Sequence, residues 1–113
     1  MSGGGGGGGG YDGAGGGPDQ PDCASLRFST TLASPHLEVI ASLEVDDALV
    51  VRLEAEADVS IIAVRTATGA LTGTIVSNQA RQLRECLQRG QSYEAVIVSI
   101  EGAAVEVEIG AAA

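Results

Sequence analysis

Polar and apolar residues alternate from Leu26 onward. Leu26, Phe28, Thr30 and Leu32 share one side of an extended run, with Arg27, Ser29 and Thr31 on the other, until Ser34-Pro35 interrupts it. The same period carries Leu37, Val39, Ala41, Leu43 and Val45 against Glu38, Ser42 and Glu44. It returns in Leu49, Val51, Leu53 and Ala55 against Val50, Arg52, Glu54 and Glu56. Successive side chains of a strand point to opposite faces, so each run predicts a half-buried strand. Asp46-Asp47 reads as the turn of an antiparallel hairpin between the second and third runs.

Val59 to Thr66 is apolar on both sides, which suits a central strand, and Thr68-Gly69 turns the chain. Leu71, Gly73 and Ile75 continue as a strand in which Gly73 marks a bulge or bend. The period then changes. Ala80, Leu83, Cys86 and Leu87 recur at helical spacing and predict a helix over about 77–89, capped by Ser77 or Asn78 and ended at Gly90. Tyr93 to Ile100 is a second two-faced strand, Glu101-Gly102 a turn, and Val105, Val107 and Ile109 the last alternating run, before Ala111–Ala113 fray. The expected class is mainly β (α+β). It would be a small seven-stranded barrel, or a strongly curved antiparallel sheet, with one capping helix at about 77–89.

Composition divides the chain in two. Residues 1–22 hold 12 of the 17 glycines and nothing sizeable to bury except Tyr11, so they are expected to form a disordered Gly-rich tail. Residues 23–113 form the single small domain. With fifteen acids and six arginines overall, and three of the acids in the tail, this body carries a net charge of −6. Phosphate neutralisation supplies most of the affinity of nucleic-acid binders, and stacking needs aromatics. The body has two aromatics, Phe28 and Tyr93, so nucleic acid is not an expected partner of the isolated chain.

No apolar run approaches a membrane span, and the N-terminus has no secretory pattern. The expected location is cytoplasmic, where Cys23 and Cys86 would stay thiols, Cys86 as a small core residue on the helix stripe.

Candidate chemistry is sparse. Asp46-Asp47 is the only adjacent acidic pair in the body and fits a turn better than an acid/base pair. His36 is the single histidine, with no cysteine at ligand spacing, so no metal or cofactor is expected, and no catalytic residue. The helix is more informative. Arg81, Arg84 and Gln88 are expected on one exposed face, with Arg89 nearby, and together they make the candidate partner-binding patch on an acidic protein.

Between Ile62 and Gly102 the chain resembles the second half of a HIRAN domain, the small barrel found in some bacterial proteins and in certain eukaryotic DNA-repair helicases. The resemblance runs through Ile62-Ala63-Val64, Gly69, Gly73-Thr74-Ile75, Ala80, Leu83, Leu87, Gly90, Tyr93, Ala95 and Ile100. It implies a barrel that binds DNA ends. The family's Asn-x-x-Asp-x-Asn-Ala run corresponds here to Glu56-Ala57-Asp58-Val59-Ser60-Ile61, without the two asparagines, and Thr74 stands at the family's aromatic position. The expected function is therefore a non-enzymatic adaptor that docks onto a partner protein. A HIRAN-like single-stranded nucleic-acid or DNA-end binder is the alternative.

Overall fold

The computed structural model describes residues 22–112; the expected tail, Asp22 excepted, lies outside the described residues, as does Ala113. The elements are β1 (Phe28–Thr31), α1 (Leu37–Ile40), β2 (Ala48–Glu56), β3 (Val59–Arg65), β4 (Leu71–Thr74), α2 (Ala80–Gln88), β5 (Tyr93–Glu101) and β6 (Ala104–Ala111). One antiparallel sheet takes all six strands in the order β1-β6-β5-β2-β3-β4. The expected class holds in its curved-sheet form, with six strands instead of seven.

The missing strand is the run from Leu37 to Val45. The chain makes one helical turn there, with the Val39 and Ile40 amides donating to His36 O and the Leu43 amide to Ile40 O. Ile40 and Leu43 go inward, whereas Leu37 is 58% and Val45 49% exposed. That inward pair has the i, i+3 spacing of a helix. Ser42 Oγ donates to Val39 O, and Asp47 Oδ2 accepts the Glu44 amide at 2.8 Å, so polar side chains bond locally in place of a ladder. No hairpin joins this segment to β2, which pairs with β3 and β5 instead. Asp46-Asp47 is still a turn, tied to β5 by Asp46 N to Ile97 O and Ile97 N to Asp47 O.

The inner face of the curl holds the core: Leu49 and Val51 of β2, Ile62 and Val64 of β3, Ala95 and Ile97 of β5, and Val105, Val107 and Ile109 of β6. α2 covers this core with Leu83 and Cys86, both fully buried, and Ala80 and Leu87 pack beside them. Its start lies later than expected, because the Ser77–Asn78 segment forms a turn in which Ser77 Oγ accepts the Gln79 amide. Its end follows the expectation. Gly90, at φ +90°, donates to Leu87 O and Gln91 to Cys86 O, the two bonds of a Schellman close. Ala111 does not fray: it pairs with Tyr93, and the Ala112 amide donates to Ser92 O.

The sheet curls almost onto itself without closing. Ala33, just past β1, exchanges both backbone bonds with Thr74 of β4 (2.8 and 2.9 Å), and His36 N donates to Thr72 O. Gly73 permits this approach, since a Cβ there would lie 3.0 Å from Ala33 O and 3.1 Å from Leu32 Cβ. Extending the register would set Val76 opposite Thr31, but no such pair forms.

Candidate functional site

The α2 patch is smaller than the sequence suggests. Arg81 is 89% exposed at its side chain and pairs with Glu85 at 3.8 Å. Gln88 and Arg89 are exposed. Arg84, expected in solvent, is half-buried: one guanidinium nitrogen donates to Ser60 O of β3 at 3.2 Å, and its Nε is covered without a partner among the described residues. The reason lies in the tertiary fold, which lays this turn of α2 beside the β3 backbone. Arg84 therefore serves to fix the helix, leaving Arg81, Gln88 and Arg89 as a thinner polar face.

The cysteines depart from expectation too. Cys23 and Cys86 form a disulfide, with Cα atoms 5.5 Å apart. Periodicity placed Cys86 on the buried stripe correctly, yet only the fold brings the segment before β1 alongside α2. The turn holding Cys23 is closed by Ser25, whose amide and hydroxyl both bond the Asp22 carboxylate. Those bonds hold the Asp22 carboxyl below the ordinary carboxylate range. Tyr93 Oη donates to Cys23 O at 2.5 Å. Burial, with the Asp22 charge adding to it, raises the Tyr93 phenol.

On the outer face of the sheet, Arg65 meets Glu54 through two nitrogens at 2.7 and 2.9 Å. The paired guanidinium lowers the Glu54 carboxyl. Arg52 makes no ion pair among the described residues. It stands between two shallow recesses of about 400 and 320 Å³ that share Val50 and Arg52. Among the described residues no three His, Cys, Asp or Glu side chains gather at metal-holding distance, and no helix is long and apolar enough to cross a membrane.

The most distinctive feature is the seam beside β1. Leu32 N donates to Val105 O, so by the alternation of an antiparallel ladder Phe28, Thr30 and Leu32 turn their backbone groups to β6. Ser29 and Thr31 turn theirs away, into the opening between β1 and Val76. No backbone partner meets them among the described residues. The opposite edge, β4, is covered by Ala33 and His36. Edge strands are ordinarily blunted by Lys, Pro or bulges. β1 reads Phe-Ser-Thr-Thr and pairs with β6 in unbroken register. Beyond the seam Val76 is 72% exposed, the largest value among the large hydrophobics of the described residues. No protein-family model, curated protein or solved structure matches the chain.

Proposed function

We propose that this domain is a non-catalytic binding module that docks a partner protein by adding one extended partner segment to the open edge of β1. The observation that supports it is the seam: among the described residues Ser29 and Thr31 turn main-chain groups outward without a backbone partner, Thr31 O meeting only the Thr30 hydroxyl at 3.5 Å, next to exposed Val76. Strand addition draws affinity from such main-chain groups and selectivity from the side chains beside them. Glu106, exposed and opposite Thr31 on β6, and the net charge of −6 favour a segment of basic character.

Proline substitution tests this, because proline removes one amide hydrogen. Ser29→Pro and Thr31→Pro delete amides that point into the seam, so each variant should keep the fold and lose partner capture in a cross-linking pull-down. Thr30→Pro deletes an amide facing β6 and should lower the melting temperature instead. Capture that survives both outward prolines but disappears in Arg81→Glu/Arg89→Glu would move docking to α2 and overturn the edge reading.

A further inference from the structure

The disulfide is attached to the same edge. Cys23 stands five residues before Phe28, where β1 begins, and Cys86 is fully buried on α2. At its other end β1 runs directly into the Ala33–Thr74 bridge. Four residues long, it has β6 as its ladder partner. Between Cys23 and Phe28 no backbone bond to another strand forms among the described residues; the Tyr93 hydroxyl bond, the packing of Leu26 and the exposed Arg27–Glu108 pair are the other holds. The disulfide is therefore the one covalent cross-link that holds the approach to the docking edge among the described residues.

We infer that the redox state of Cys23–Cys86 regulates this edge. This rests on the docking reading above. Oxidised, the bond pins the start of β1 against α2 and presents Ser29 and Thr31 as a preorganised edge. Preorganisation lowers the ordering cost of binding. Reduced, the strand start frays from β6, and the partner segment loses a fixed template.

The exchange requires a dithiol reductant. Its thiolate attacks the Cys23 sulfur, on the half-exposed residue of the pair, since Cys86 is fully covered. A bond forms between reductant and Cys23 as the Cys23–Cys86 bond breaks, and Cys86 leaves as a thiolate that takes up a proton. The second thiolate of the reductant then displaces Cys23, which is protonated in turn. Two electrons pass to the protein, leaving two thiols there and one disulfide in the reductant.

Amide hydrogen exchange on the full chain, oxidised and after dithiothreitol, reads the effect without any partner. The Phe28 and Thr30 amides should exchange about tenfold faster in the reduced chain, while those of Val51 and Ile62 stay unchanged. Cys23→Ser should reproduce the reduced pattern, and the reduced wild type gives the same readout if that variant does not fold. Equal acceleration at all four amides would make the bond a general staple, and no acceleration would make it irrelevant to β1; either overturns the inference. Redox-sensitive exchange at Phe28 and Thr30 combined with capture untouched by Ser29→Pro would leave the latch standing and remove the docking reading.

Discussion

Tyr93 joins three parts of the molecule through one side chain. Its ring is 3% exposed in the core, its backbone starts β5, and its hydroxyl holds the carbonyl of Cys23. A buried phenol needs such a partner, because an unpaired hydroxyl in an apolar site is costly. Tyr93→Phe keeps the ring and deletes the bond, leaving Cys23 O to find water at the rim. The expected loss is about 0.5–1.5 kcal/mol in denaturant unfolding. The raised phenol adds a pH signature. Ionisation is easier in the unfolded chain, so this contribution is complete below pH 10.0 and fades as pH rises through the folded value. Stability of the wild type should therefore fall more steeply than that of Tyr93→Phe in alkaline solution. Parallel curves would show that the phenol is not held as described.

At the scale of elements, the Glu54–Arg65 pair bridges β2 and β3 on the outer face, with side chains 27% and 29% exposed. Such a pair contributes modestly, because solvent screens it and ordering two long side chains costs entropy. The lowered carboxyl sets its direction with pH. The contribution is present above the unfolded value near 4.5 and is lost as pH falls through the folded one. Glu54→Gln should thus cost little at neutral pH and remove part of the acid-side slope of stability, which melting curves between neutral and acidic pH will read. Most elements were legible in the sequence because their burial is one-sided: β2, β6 and the stripe of α2 repeat their periods cleanly. α1 was not. Its nine-residue window fits a period of two at Leu37, Val39, Leu43 and Val45, and only Ile40, apolar on the supposed polar side, betrays the helical turn. The candidate site divides the same way. Arg81 and Arg89 could be set on an exposed face from spacing, whereas the engagement of Arg84 with Ser60 and the joining of Cys23 to Cys86 join residues far apart in sequence, and no local pattern encodes them.

For the molecule as a whole, the decisive property is a sheet that curls to within one bridge of closure and stops. The open seam is a matter of global register and backbone direction, so the Phe-Ser-Thr-Thr segment alone gave no sign that it would be an edge. The same global view bears on nucleic acid. Six arginines are distributed over the chain rather than gathered: Arg27 meets Glu108, Arg65 meets Glu54, Arg81 meets Glu85 and Arg84 bonds Ser60. Arg52 and Arg89 are the two without such a contact among the described residues. Single-strand binders instead need a continuous basic groove with stacking surfaces, and the two body aromatics, Phe28 and Tyr93, are buried. Long-range repulsion from a net −6 body opposes a polyanion further, over a Debye length of about 8 Å at physiological salt. The full chain is therefore expected to show no binding to labelled single- or double-stranded oligonucleotides in fluorescence anisotropy at that salt. Submicromolar binding that weakens with added salt and is abolished by Arg52→Glu/Arg89→Glu would mean that the two unpaired arginines form a phosphate site, and the domain would then be a nucleic-acid binder.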